Sequence, residues 1–181
     1  TKTGWDFNPP QYQFNPLTDN QSNLNFNGSL WQYNISGNCG TGQALLQTVS
    51  SGAYIYPDQL ADESGNFNIP GIFYGDTATI TPSKPGHIFQ PLSRTISQIN
   101  ANQQISFQAS ILTYTVSGNS SENGQPLSGV SVNYQNGNTQ TNQIGAYSFT
   151  LNWHDSVVVR FEKAGYTFNP ESISINSIEQ N

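Results

Sequence analysis

The residues of this 181-residue chain that could do chemistry are few: two histidines, one cysteine and eleven carboxylates. Hydrolysis through a nucleophile would need a base within hydrogen-bond reach and a carboxylate to orient that base. His87 lies inside the string KPGHIFQP and His154 in the turn NWHD, and neither belongs to a nucleophile, base and acid set. Both read as ordinary surface or loop histidines. Cys39 sits in the Gly-rich run SGNCGTG with no histidine nearby to lower its pKa, and reads as an unpaired loop thiol. As the only cysteine it excludes an internal disulfide framework. The expectation is a protein without a catalytic centre or cofactor.

Metal and sugar are the remaining chemistries. The segment PDQLADESGN gathers Asp58, Asp62 and Glu63, the densest acid cluster in the chain. Calcium is taken by loop carboxylates and carbonyls, yet this spacing does not match a DxDxDG loop. A solvated turn with capping acids is the preferred reading, with calcium as the weaker alternative. Trp5, Trp31, Trp153, Tyr54 and Tyr56 are candidates for stacking on sugar rings, but core or interface packing explains each of them better.

Composition narrows the partners. Five Lys and Arg, scattered singly, stand against eleven acids for a net charge of −6, so no basic patch can neutralise nucleic-acid phosphates. The apolar runs are too short to span a bilayer as a helix. Charged residues are only 9% of the chain, their place taken by Asn, Gln, Ser and Thr, which suits an extracellular or cell-surface protein. There is no Met, and the chain reads as a processed or excised piece of a longer precursor.

The elements that must position these residues come in copies. KTGWDFNP (2–9), KPGHIFQP (84–91) and KAGYTFNP (163–170) share one pattern at intervals of about 80 residues, the size of a small domain. Between the copies apolar residues alternate with period two, the signature of half-buried strands. Leu112, Tyr114 and Val116; Val130, Val132 and Tyr134; Tyr147, Phe149 and Leu151; Val157, Val159 and Phe161; Tyr166 and Phe168; and Ile173 and Ile175 predict strands in the last copy. In the preceding copy the same order is expected through Trp31, Tyr33 and Ile35; Tyr54 and Tyr56, or Ala53 and Ile55; Phe67 and Ile69; Thr77 and Thr79, or Ala78 and Ile80; Ile88; Ile96; and Ile105 and Phe107. Turns rich in Gly, Asn and Asp, such as QNGN and NQIG, separate them. Alternation slips by one residue at Leu30/Trp31 and again at Ile111/Leu112, so neighbouring modules should join stiffly, without a flexible linker.

On these residues a family resemblance can be stated. GQPLSGVSVNY (124–134), TNQIGAYSF and KAGYTFNP resemble the carboxypeptidase regulatory-like, transthyretin-like Ig-type repeat modules of bacterial surface proteins. The resemblance implies an all-β fold of tandem Ig-like β-sandwich domains, used outside the cell as spacer, stalk or adhesive module, and it implies no chemistry. The earlier copy departs from it, with QALLQTVSS where GVSV should fall. RFEKAGY also resembles the Glu-bearing strand of pilin B-type domains, which carry Lys-to-Asn isopeptide bonds. The first strand here, ILTYTVSG, has no Lys to form one.

The phase of the repeat sets the last expectation. QISFQAS (104–110) closes one copy and NLNFNGS (23–29) closes the one before it, whereas the final copy runs only to Asn181, which matches Asn102. The expected domains are therefore a partial module at 1–29, a sandwich at 30–110 and a sandwich lacking its last strand at 111–181. An unfinished sheet exposes backbone donors and acceptors that seek a partner. Leu24 and Phe26 of the orphan tail, and Ile173 and Ile175 of the unfinished module, are the candidate partner-binding residues. The expected partner is the chain itself, head to tail as the repeating subunit of a surface filament or adhesin, or else neighbouring modules of a longer array. An accessory, carbohydrate-binding module of a secreted enzyme is the alternative.

Overall fold

The computed structural model describes residues 2–17, 19–52, 54–135 and 137–178, and every regular element among them is a β-strand. Ala53, Asn136 and Asn181, named above, lie outside those residues. No helix of the described residues is long and apolar enough to cross a membrane. The chain divides into two compact units, Thr1–Ala109 and Ser110–Asn181.

The first unit carries β1 (Trp5–Asn8), β2 (Asn27–Leu30), β3 (Gln32–Asn38), β4 (Leu45–Ser50), β5 (Gln59–Leu60), β6 (Asn66–Phe73), β7 (Ala78–Ser83), β8 (His87–Gln90), β9 (Arg94–Ile96) and β10 (Gln103–Ser106), with β11 (Gln108–Ile111) running across its boundary. One sheet has the order β10-β3-β6 and the other β5-β4-β7-β9, while β8 pairs with β11 and β1 with β2. Alternation places one face of each strand inward, so Leu46 from β4, Ala78 and Ile80 from β7, and Ile35 and Ile69 from the opposite sheet meet in the core. Each fully buried Ile or Leu contributes about 1.5–3 kcal/mol, an upper figure because the unfolded chain already hides some apolar surface.

The second unit repeats this plan with fewer strands. β12 (Thr113–Asn119) pairs with β17 (Ala146–Asn152), and the facing sheet runs β16 (Gly137–Gln140), β15 (Ser131–Tyr134), β18 (Val157–Glu162), β19 (Ser172–Ile175). A two-residue ribbon, β13 (Ser121–Glu122) with β14 (Gln125–Pro126), leaves the end of β12. Val132, Phe149, Leu151, Val157, Val159 and Ile178 form its core. These are the facing, twisted antiparallel sheets of Ig-like β-sandwiches, the fold class expected from the alternation.

Several sequence readings are corrected. The departing segment QALLQTVSS forms β4, with Leu46 wholly buried, while Tyr54 and Tyr56 lie outside any strand. In β7 the inward pair is Ala78 and Ile80, not Thr77 and Thr79. Phe89 fills the core from β8, and its neighbour Ile88 faces out. Residues 166–168 do not form a strand, since no segment among the described residues pairs with them, and the QNGN turn continues into β16. Cys39 is, as read, an unpaired thiol in the loop after β3, and it is fully buried, its sulfur 3.1 Å from Thr41 O and 3.2 Å from Gly65 O.

The repeated string has one local cause in all three copies. Trp5, His87 and Tyr166 each donate their N–H to the carbonyl of the Lys three residues earlier, at 3.1 Å. The Gly between them, at 4, 86 and 165, has φ of 82°, 69° and 83°. That third turn position demands positive φ, which glycine adopts without a Cβ penalty.

Candidate functional site

The difference between the two units lies at one sheet edge. In the first unit β10 lies parallel to β3, with Gln103 opposite Ile35, Gln104 opposite Ser36, Ile105 opposite Gly37 and Ser106 opposite Asn38. The chain then donates Phe107 N–H to Asn38 O (2.9 Å), buries the Phe107 ring 6.4 Å from that of Phe67, and continues as β11 alongside β8. The parallel strand runs so close that a Cβ on Gly37 would collide with the Ile105 carbonyl oxygen. Only glycine accommodates that approach.

In the second unit, among the described residues, no strand lies on the outer edge of β12 from Val116 to Asn119. A groove of about 700 Å³ opens at the Asn119 end of β12, with Leu127, Tyr147, Phe161, Tyr166, Phe168 and Ile173 in its lining. Gly118 takes the position of Gly37, but a Cβ there would meet only the far end of Tyr147, whose hydroxyl would lie 2.5 Å away. Burial raises the Tyr147 phenol above its ordinary pKa. At the rim, Tyr166 Oη donates to Glu122 Oε2 at 3.2 Å, and the Glu122 carboxylate beside it raises the Tyr166 pKa.

Of the candidate partner-binding residues, Leu24 and Phe26 lie in an unpaired segment, 41% and 50% exposed, with Phe26 meeting the Tyr12 ring edge-on at 5.0 Å. Ile173 lines the groove of the second unit. Ile175 instead packs against that unit's own core and pairs with Val157. Gly118, Tyr147 and Phe161 were missed by sequence reasoning. The parallel between YNISGN and YTVSGN held the signal for Gly118, since the same glycine recurs beside different neighbours.

The other candidates are occupied by the fold. Asp62 Oδ1 accepts the N–H groups of Ser64 (2.9 Å) and Asn66 (2.8 Å), and Asn142 does the same for Ile144 and Ala146 in the second unit. The Asn66 side-chain amide, and then its backbone N–H, hold the Asp62 carboxyl below the usual range. Asp58 and Glu63 are exposed, and among the described residues no group of three or more His, Cys, Asp or Glu gathers that could hold a metal ion. Lys84 Nζ donates to Gly42 O (2.7 Å) and Thr41 Oγ1 (3.0 Å), and Lys163 Nζ reaches the matching carbonyl, Ser128 O, at 2.5 Å. In two of the three copies, Lys84 and Lys163, the Lys of the repeated string thus clamps a loop to its own sandwich. His87 Nδ1 lies 3.0 Å from Pro85 O, and His154 packs on Trp153. Trp31 packs edge-on against Tyr74. Tyr56 Oη accepts from Phe73 N–H (3.1 Å) and donates to Asp76 Oδ2 (2.8 Å). Burial, followed by the Asp76 bond, pushes its pKa up to about 12.

Comparison with known proteins places this geometry. No family model matches the chain. Chitinase ChiA of Flavobacterium johnsoniae is 30% identical over 131 residues, a match covering 67% of this chain and 8% of the chitinase. The chain therefore spans a small fraction of the length of that relative. Among solved structures, the Bacillus anthracis TIE protein superposes with a TM-score of 0.68 at 12% identity, over 84% of this chain and 33% of that one. A streptococcal ancillary pilin gives a TM-score of 0.42 at 10% identity, over 82% of this chain and 59% of its own. The TIE likeness is one of fold.

Proposed function

We propose that this chain is a non-enzymatic, extracellular structural segment, the repeating subunit or stalk of a surface filament or adhesin. Its modules are read as a partial module at 1–29, a sandwich at 30–110 and an unfinished sandwich at 111–181, of the transthyretin-like Ig type. The observation that carries this reading is where the recurring polar residues go. Lys84 and Lys163 clamp equivalent loop carbonyls, and Asp62 and Asn142 build equivalent turns, so the features that repeat are spent on scaffold. A segment selected to hold shape keeps its scaffold bonds in every copy, whereas a catalytic site would set one copy apart.

One observation favours a second reading. The match to a chitinase, over a small part of that enzyme, supports an accessory module that accompanies a secreted polysaccharide-degrading enzyme. A pull-down on insoluble chitin and cellulose separates the two. A structural segment stays in the supernatant at all protein concentrations, and saturable retention on chitin would replace the first reading by the second.

A further inference from the structure

We propose that Asn123 is a site of spontaneous covalent modification, where the backbone nitrogen of Gly124 closes on the Asn123 side chain and water then leaves aspartate or isoaspartate in its place.

The chemistry begins from the residue pair. In an Asn-Gly sequence no Cβ on the second residue hinders its nitrogen from reaching the side-chain amide carbon. The chain holds three such pairs, at 27–28, 123–124 and 136–137, of which Asn136 lies outside the described residues. The Gly124 nitrogen attacks Asn123 Cγ, a C–N bond forms, and the side-chain amide group leaves as ammonia. One water then opens the cyclic imide at either carbonyl. Opening at one carbonyl gives aspartate, and opening at the other routes the main chain through the side chain as isoaspartate. Water is the co-reactant throughout.

Local structure sets the two described pairs apart. Asn123 and Gly124 are the turn residues of the ribbon β13–β14, both at positive φ, 49° and 78°. Turn residues of such a hairpin lie beyond its ladder, so the Gly124 N–H is not engaged in it. Both residues are exposed, and nothing lies within 4 Å of where a Cβ on Gly124 would stand. Ring closure requires this left-handed turn to open, and the ribbon holds it with two pairs, Ser121 with Pro126 and Glu122 with Gln125. Pro126 has no N–H to contribute. Opening there costs little. Asn27 and Gly28 sit instead inside β2, in a four-residue ladder opposite Asn8 and Phe7, and the Trp5 and Phe7 rings stand 3.1 and 3.2 Å from the place of a Cβ on Gly28. Closure at Asn27 requires that ladder to part. The product also changes its surroundings, because a carboxylate at 123 stands next to Glu122, whose Oε2 accepts from Tyr166 Oη at 3.2 Å.

Timed incubation of the folded full chain in mildly alkaline buffer tests this, read by peptide mapping with mass spectrometry and an isoaspartate assay. Conversion at Asn123 should run at least about tenfold ahead of conversion at Asn27. In concentrated guanidinium chloride, where the fold no longer ranks the sites, the two rates should come close together. Asn123→Gln, whose longer side chain must close a larger and slower ring, should abolish the mass gain in the peptide that carries it. No conversion at Asn123, equal or faster conversion at Asn27 in the folded chain, or a gap between the sites that persists in denaturant would each overturn the proposal.

Discussion

The outer edges of β3 and β12 begin from nearly the same residues, YNISGN and YTVSGN, and meet different surroundings. β3 lies between β6 and the parallel strand β10, while β12 pairs with β17 alone among the described residues and ends at an aromatic groove. The contrast extends to the segments facing these edges. Phe89 is buried in a paired strand, and its counterpart Phe168 is half-buried in a segment outside any strand. A single nine-residue segment, Gln103–Ile111, thus accounts for the covered β3 edge, the burial of Phe107 and the pairing of β8. The same segment adds β10 to the β3 sheet and then, as β11, pairs with β8.

The comparison can be broken most forcefully at the closing phenylalanines. Phe107→Ala should cost the first unit about 3–5 kcal/mol, the usual loss for a large buried aromatic. Phe26→Ala, at a half-exposed position, should cost less than about 1 kcal/mol. Urea unfolding of the two variants checks this, and similar losses would mean that the tail is not an unpaired copy of the closing strand. Next in size are the paired glycines. Gly37→Ala should destabilise by about 1–3 kcal/mol, because the Ile105 carbonyl is part of a fixed backbone. Gly118→Ala should change little, since the Tyr147 ring can turn aside, and the same unfolding experiment reads both.

The smallest effect is the pH dependence that Tyr56 gives the first unit. Tyr56 has its pKa pushed up to about 12 from the ordinary 10.0, so the fold favours its protonated form. Its contribution is full below pH 10, where folded and unfolded chains both keep the proton, and is lost as pH rises from 10 to 12. The second unit makes the corresponding link without a tyrosine, by Asn152 N–H donating directly to Asp155 Oδ2 at 2.8 Å. Tyr56→Phe should therefore remove this share of the alkaline loss of stability. Parallel melting curves of wild type and variant up to pH 12 would show the difference, and coincident slopes would count against the Tyr56–Asp76 link.

Much of the fold was legible because period-two alternation reports directly which residues face a core. Val157, Val159 and Phe161, or Tyr147, Phe149 and Leu151, could be placed by counting alone. Legibility failed where backbone pairing decided the outcome. Tyr166 and Phe168 alternate like a strand but lack a neighbour to bond, and alternation cannot show whether a neighbour exists. Leu45–Ser50 was obscured because QALLQT looks unlike GVSV, although Leu46 and Thr48 point inward as the period requires. At the candidate site, Leu24, Phe26 and Ile173 were readable as unspent apolar residues. The roles of Gly118 and Tyr147 were not, because a glycine's purpose appears only when the carbonyl pressing on its twin is seen. Asp62 was read first as a turn-capping acid, with calcium as the weaker alternative, and its carboxylate is bonded to Ser64 and Asn66 of its own turn.

The central claim is that the edge of β12 awaits the segment that closes β3, and the most direct measurement supplies that segment in frame. Asn181 matches Asn102, so the sequence QQISFQASI added after Asn181 continues the repeat as the first unit does. The extended chain should show a higher melting temperature for its second unit than the 181-residue chain, and slowed amide exchange from Val116 to Asn119. An unchanged melting temperature with unchanged exchange at that edge would contradict the account.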